Sequence, residues 1–328
     1  KDVFELAFAD QAGRIQERKR LTRRAFARVL ENRPPMTVVM EACGSAHYWG
    51  RRFQALGHSV RLLPARDVRP YVRRNKTDRA DAAGLVEAAR CEQIADVPVK
   101  SPRQQGMQAL HRVREQLKAQ RTAAINLVRG VLREYGVTIP NGSARVRTAV
   151  QAALEDASND VPMALRATLA EQLERIAALQ VDMGTIEKRL AEEAANDVAV
   201  QRYLTVPGVG LLTATALRAS AGELARFNSG RHLAAWIGLV PREHSSGHQR
   251  RLGRITKRGD AYLRTLLIHG GRAVLRSALM RQRAGKPLDP LQAWALELAQ
   301  RQGHNKTAVA LANKLARRLW AIEHHGTG

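Results

Sequence analysis

The sequence predicts an α/β amino-terminal domain, a long helical middle and a mainly helical carboxy-terminal region. Three observations carry this. Short apolar runs alternate with helically spaced stretches up to about residue 100. Apolar residues then fall on one helical stripe over 104–135, and a heptad follows. From Asp197 onward, short helical stretches are broken by Gly and Pro and carry dense Arg and Lys. The expected domains are 1–103, 104–196 and 197–328.

The elements of the first domain follow in order. Val3–Ala9 is apolar with β-forming ends, and Asp10–Gly13 is a turn sequence. Arg14–Lys19 is polar and is placed as the second strand of a hairpin. Leu21–Leu30 has helical spacing. Thr37–Met40 is a short buried strand after Pro34-Pro35, ended by Glu41. Ala46–Leu56 is helical and Gly57 stops it; Ser59–Leu63 is a strand closed by Pro64. Thr77 is a natural N-cap for a helix running to Arg90. Strands alternating with helices predict a mixed sheet.

In the middle region Met107, Leu110, Val113, Leu117, Ala124, Val128 and Val131 share a helix face. Pro140-Asn-Gly-Ser breaks the pattern. Leu169, Ile176, Met183 and Leu190 then recur every seven residues, with Leu165, Gln172, Leu179 and Ile186 at the second seam position. Such a heptad fits a hairpin within one subunit as well as pairing between subunits.

Lys and Arg number 54 against 30 Asp and Glu, a formal net charge of +24 over 328 residues. That excess points to a polyanionic partner, nucleic acid first. No apolar run approaches the ~18 residues that span a bilayer, and no signal peptide is evident, so no membrane partner is expected. Cys43 and Cys91 match no metal spacing and make no disulfide framework, which points to a reducing, cytoplasmic location.

Three groups of residues are suited to chemistry. Asp78 and Asp81 lie three apart in a first helical turn, and Glu41 ends a buried strand. Carboxylates gathered together in a basic protein suit a divalent metal held against phosphate. Alternatively, they complement the helix dipole and pair with nearby arginines. Arg66, Arg69, Arg73, Arg74 and Lys76 flank them as candidate phosphate ligands. In Val206-Pro207-Gly208-Val209-Gly210, Gly208 and Gly210 lead into a helix start, where backbone N–H groups can grip a phosphate. An ordinary turn between helices has the same sequence. Finally, Ser245-Ser246-Gly247 lies on an expected mobile loop with Arg250, Arg251, Arg254, Lys257 and Arg258. A serine there is a nucleophile if something takes its proton, and His244 and His248 flank the pair. Otherwise it belongs to a polar DNA-binding turn.

Taken together, Glu41, Lys76-Thr-Asp78-Arg-Ala-Asp81, Val206–Gly210, Trp236-Ile-Gly-Leu-Val-Pro241, Ser245-Ser246-Gly247 and Gly253-Arg-Ile-Thr-Lys-Arg-Gly259 occur in one order. In this the chain resembles the DEDD-type transposases of bacterial insertion sequences, relatives of the Piv DNA invertase. The likeness runs from Asp2 to the Asn313-Lys314-Leu315-Ala316 stretch.

The resemblance implies an RNase H-like (RuvC-like) first domain, a coiled-coil linker and a transposase domain. It implies Mg²⁺ held by four acidic residues, three of which map to Glu41, Asp78 and Asp81. The fourth belongs to a Gly-Ile-Asp motif a few residues before the position of Lys1, and neither Asp2 nor Asp10 is placed to replace it. A serine that joins covalently to a DNA end maps to Ser245, with Ser246 as the neighbouring alternative. A structured bridge RNA that pairs with donor and target DNA is implied as guide. So is a homo-oligomer, dimer or tetramer, in which the acidic domain of one subunit faces the serine domain of another. The expected function is Mg²⁺-dependent strand cleavage and exchange. The alternatives are a RuvC-like nuclease or Holliday-junction resolvase using water, and a nucleic-acid-binding copy without catalysis.

Overall fold

The structure is a computed structural model that describes residues 2–72 and 77–326. The chain divides into two compact units, Lys1–Arg103 and Gln104–Gly328.

The first unit opens with β1 (Val3–Ala9) paired antiparallel to β2 (Ile15–Thr22). The turn between them closes as Asp10 accepts from the Gly13 N–H at 3.0 Å through its carbonyl and from the Arg14 N–H at 2.9 Å through its carboxylate. Helix α1 (Arg23–Arg28) begins later than the apolar spacing suggests. Leu21 and Thr22 stay in the strand because they face Phe4 and Val3 across the ladder, and Thr22 then caps the helix by accepting from the Ala25 N–H. Strand β3 (Thr37–Glu41), helix α2 (Ala46–Ala55) and strand β4 (Ser59–Leu63) form a parallel β-α-β unit. Short α3 (Ala65–Val68) and a 3-10 turn at Arg69–Tyr71 lead towards α4 (Asp78–Ala89).

Among the described residues the expected mixed sheet is instead two separate pairs, β1–β2 and β3–β4. An aromatic core shared by both pairs does the joining. Phe26, Trp49 and Phe53 are buried among Phe4, Leu6, Leu21, Val38, Met40 and Val60. Phe4 and Phe26 stack with centroids 4.2 Å apart, and Trp49 meets Phe26 edge-on at 4.7 Å. A second cluster fixes α4. Leu85, Ala88 and Ala89 pack with Val39 and Leu63 from the strands and with Val68 and Tyr71.

The second unit is almost wholly helical. Helices α5 (Pro102–Glu134) and α7 (Met163–Ala195) flank the short α6 (Val146–Glu155). The two long helices run antiparallel. Arg114 bonds Glu187 at 2.8 Å, and Arg121, further along α5, bonds Gln180, further back along α7. The heptad seam is filled from within the same chain. Leu169 and Leu173 meet Ile125, Val128, Leu132, Val146 and Val150 at one end, while Ile186 and Leu190 meet Met107 at the other.

The region from Asp197 is not a third separate body. Ala219 shares the Met107–Leu190 cluster, and Ala194 at the end of α7 joins the largest core. That core is built by α8 (Val198–Leu204), α9 (Leu211–Ala221), α10 (Gly230–Ile237), α11 (Ala261–Arg283) and the last helix of the chain, with Tyr203, Leu217, Leu233, Leu263, Leu267 and Leu315 fully enclosed. Between α10 and α11 stands a hairpin of β5 (Pro241–Glu243) and β6 (Leu252–Ile255). Helix α12 (Pro290–Gln302) opens with a capping box at Asp289, and α13 (His304–His325) closes the unit. No helix among the described residues is long and apolar enough to cross a membrane.

Candidate functional site

The acidic residues come from neighbouring elements of the first unit. Glu41 is half-buried at the end of β3, two residues beyond Val39, whose side chain packs in the α4 cluster. Asp78 is exposed and Asp81 half-buried in the first turn of α4. Thr77 caps that turn as its spacing predicts, accepting from the Ala80 N–H at 3.1 Å. Arg18 of β2 donates to the Arg79 carbonyl at 3.2 Å and ties the same turn to the hairpin. Among the described residues, no three acidic, His or Cys side chains converge closely enough to hold a metal by themselves. Arg66 pairs with Asp67 at 3.2 Å. Arg73, Arg74 and Lys76, expected to bind phosphate, lie outside the described residues.

The Pro-Gly-Val-Gly turn does lead into a helix start, with Gly210 as the N-cap of α9. Gly208 has a second reason to be there. Its φ is +87°, and a Cβ at this position would strike Val274 and the Gly270 carbonyl of α11. The cleft beside the α9 start is lined by Leu211, Leu212, Leu266 and Ala273, with Glu187 and His269. A phosphate there meets a carboxylate, so this geometry favours packing as the role of Gly208.

The serine segment is a built hairpin rather than the expected mobile loop. Beyond β5 and β6 the ladder continues: the His244 N–H donates to Arg251 O at 2.9 Å, and Ser246 and Gln249 exchange both backbone bonds. Gly247 and His248 make the two-residue tip, with Gly247 at φ +56°. The base is clamped. The Thr256 N–H donates to Val240 O, and the Lys257 N–H donates to Gly238 O. Arg264 donates to the carbonyls of Ile237 and Arg258, both at 3.0 Å. Residues 241–254 are all exposed, so the hairpin projects from a rigid foot.

Strand alternation puts Glu243 and Ser245 on one face of the hairpin. The Ser245 hydroxyl donates to Glu243 Oε1 at 2.7 Å and accepts from the Arg251 N–H at 3.1 Å. Arg250 approaches the same carboxylate at 3.7 Å. Ser246 faces the other way and uses its backbone in the tip. Glu243 is thus the functional candidate that the sequence reading missed. Its signal is the i, i+2 spacing, which has meaning only once the segment is known to be a strand. Arg242, Arg250, Arg251, Arg254, Lys257 and Arg258 are exposed cations along the same hairpin and its foot.

Comparisons with known proteins agree across both units. Residues 7–137 match a transposase family model of the DEDD, IS110 type, and residues 200–285 match the model for transposases of the IS116/IS110/IS902 family. A probable family 20 transposase of Pseudomonas aeruginosa is 43% identical over 326 residues, covering 98% of this chain and 94% of its own. The transposase for insertion sequence element IS1111A of Coxiella burnetii is 39% identical, covering 98% and 87%. The transposase for insertion sequence element IS1328 of Yersinia enterocolitica is 35% identical, covering 100% and 95%. With both halves matched and relatives aligned almost end to end, the chain belongs to the IS110 family of DEDD transposases, which act on DNA to move insertion sequences.

Proposed function

We propose that this transposase cleaves and rejoins DNA through Ser245, with Glu243 as the group that takes its proton. The seat of the Ser245 hydroxyl carries the proposal. It is hydrogen-bonded to a carboxylate at 2.7 Å, fixed by a backbone N–H, and set in a clamped basic hairpin. A serine hydroxyl is a weak nucleophile until a positioned base removes its proton. Oγ attacks phosphorus, the Oγ–H proton passes to Glu243, an Oγ–P bond forms and one P–O bond of the DNA backbone breaks. The departing DNA oxygen takes up a proton and leaves as a hydroxyl, while the other end stays joined to Ser245. Reversal onto a different DNA hydroxyl completes exchange without an external energy source. Arg250, Arg251 and Arg254 steady the phosphate charge, and Lys257 and Arg258 bind the flanking backbone.

Mg²⁺ is the metal of this reading, held by Glu41, Asp78 and Asp81. Hard carboxylate oxygens are its natural ligands, and it is usually bound by one or two of them with water and substrate phosphate. Glu41 at the end of β3 and Asp78 and Asp81 in the first turn of α4 would supply carboxylate oxygens to that open mode, with water and substrate phosphate completing the shell. When bound, the ion polarises a scissile phosphate. An antiparallel pair followed by a parallel β-α-β unit supports an RNase H-like (RuvC-like) reading of residues 1–103. Arg73, Arg74 and Lys76 join the acidic helix as phosphate ligands. The charge of +24 supports a structured bridge RNA as guide alongside DNA. A homo-oligomer, dimer or tetramer, brings serine and carboxylates from different subunits to one bond.

The test is a trapped adduct. The chain is expressed with its complete insertion sequence, so that any RNA the element encodes is present, and protein–DNA species that survive denaturation are scored. Wild type and Ser246→Ala form the adduct, Ser245→Ala does not, and Glu243→Gln slows its formation by about 10²-fold. Loss in Ser246→Ala with retention in Ser245→Ala moves the nucleophile to Ser246. Cleavage without any adduct replaces the serine with water.

A further inference from the structure

A second basic feature lies away from the hairpin, on the opposite end of α10. There the first turn of α10 and one face of α13 enclose a cleft of about 620 Å³. Ser229 and Arg231 line it from α10, and Lys314, Arg317, Arg318 and Trp320 from α13. On α13 the three cations and Ala321 occupy positions i, i+3, i+4 and i+7, one continuous helix stripe. The adjoining stripe, Leu311, Leu315, Leu319 and Ile322, is buried in the core, which fixes the rotation of α13 and leaves the cationic stripe lining the cleft.

Four features show that this is a formed site rather than scattered surface charge. First, among the described residues no ion pair engages Arg231, Lys314, Arg317 or Arg318, although this unit pairs arginines elsewhere, as in Arg218 with Asp197 at 3.1 Å. Four neighbouring cations without a counter-ion repel one another, a cost that a bound polyanion removes. Second, Lys314 is held in place: its ammonium lies 3.5 Å from the centroid of the Trp294 ring of α12, and burial together with Arg318 and Arg317 pulls its pKa down. Third, Gly230 lets the start of α10 touch the other wall. A Cβ there would meet the Arg317 Cα at 2.9 Å and its carbonyl oxygen at 3.0 Å. Fourth, the Trp320 indole N–H donates to Phe227 O at 2.8 Å, and its ring stacks on His324 at 4.6 Å, which fixes that wall. The positive end of the α10 dipole adds to the same field.

We propose that this cleft is a phosphodiester-binding subsite for DNA, separate from the serine hairpin. Its cations contact backbone phosphates and position the duplex without reading bases. The inference needs only that the family acts on DNA; it does not depend on which serine reacts. Three guanidinium forks and a helix start, with Lys314 held beside them on Trp294, offer donors to two successive phosphates.

Salt-dependent binding of the full chain tests it. Duplex DNA of unrelated sequence is titrated between 50 and 200 mM salt (orders of magnitude set by counter-ion release) for wild type, Arg317→Gln/Arg318→Gln, Arg231→Gln and the exposed control Arg175→Gln. Each lost phosphate contact lowers the slope of log affinity against log salt by about 0.9, so the double variant loses about 1.8 and Arg231→Gln about 0.9. Arg175→Gln changes neither quantity. Arg317 and Arg318 are exposed, and unchanged melting temperatures confirm folding. Equal losses in Arg175→Gln, or an unchanged slope in the double variant, overturn the proposal. So does a loss confined to a structured RNA of equal length, which assigns the cleft to RNA.

Discussion

The backbone of Gly238 lies directly against the backbone of Arg258, at the foot of the serine hairpin. Gly238 has φ +82°, and a Cβ added there would strike the Arg258 N, C and O atoms. Gly259, at φ +75°, is pressed in the same way against the Trp236 carbonyl. Two chain segments cross here with no room for a side chain, and the hairpin above inherits its direction from that crossing.

Substitution at the foot therefore differs from substitution at the tip. Gly238→Ala meets both a left-handed backbone and immovable backbone atoms, and costs more than about 2 kcal/mol. Gly247→Ala at the tip has nothing within 4 Å and carries only the left-handed penalty, about 1 kcal/mol. Thermal melts of the two variants read the difference directly. Near-equal losses would mean that the crossing does not clamp the hairpin.

A pH dependence is built into the joint between α5, α9 and α11. His111 is buried, with Nδ1 3.0 Å from the Tyr262 hydroxyl and Nε2 3.0 Å from Thr215 Oγ1. Burial, with Arg114 adding to it, pushes its pKa down to about 4. The ordinary value is 6.5, so between about 6.5 and 4 the unfolded chain binds a proton that the folded chain refuses. Stability is complete above about pH 6.5 and falls as pH drops towards 4, by roughly 3 kcal/mol at the limit. His111→Gln keeps a donor and an acceptor but cannot titrate. Denaturation across pH 4–7 is expected to show a flatter profile for this variant, and identical slopes would move the dependence to other groups.

What the sequence shows, and what it hides, follows from the range of the interactions involved. Val3–Ala9, Thr37–Glu41 and Ser59–Leu63 are legible because each is a short apolar run between turn residues. The Thr77 cap is legible because capping is local. Leu21 and Thr22 are not, because their ladder partners Phe4 and Val3 lie far back in the chain. The heptad states that Leu169 and Leu190 need partners; Val150 and Met107 supply them only once α5 and α6 have folded back. The serine segment hides its hairpin because every residue in it is exposed, so no hydrophobic alternation marks the strands. Glu243 is hidden with it. The α10–α13 cleft is less legible still, since Arg231 and Lys314 are distant in sequence and meet only through the packing of Gly230 on Arg317.

The carboxylates of the first unit give a prediction that needs no catalytic assay. Glu41 ends β3, and Asp78 and Asp81 open α4, two elements that pack on one core cluster. Mg²⁺ that binds the native chain alone stabilises it by mass action, about 1.4 kcal/mol at ten times its dissociation constant. Melting temperature is therefore expected to rise with Mg²⁺ in wild type. On the proposed reading, Asp81→Asn removes one carboxylate from the first turn of α4 and weakens the response at least tenfold, on the order of one charged hydrogen-bonding contact. Glu41→Gln, at the end of β3, weakens the same response, and the double variant loses it. A Mg²⁺ response that survives both substitutions would remove these carboxylates from the metal reading, leaving the serine hairpin to be judged alone.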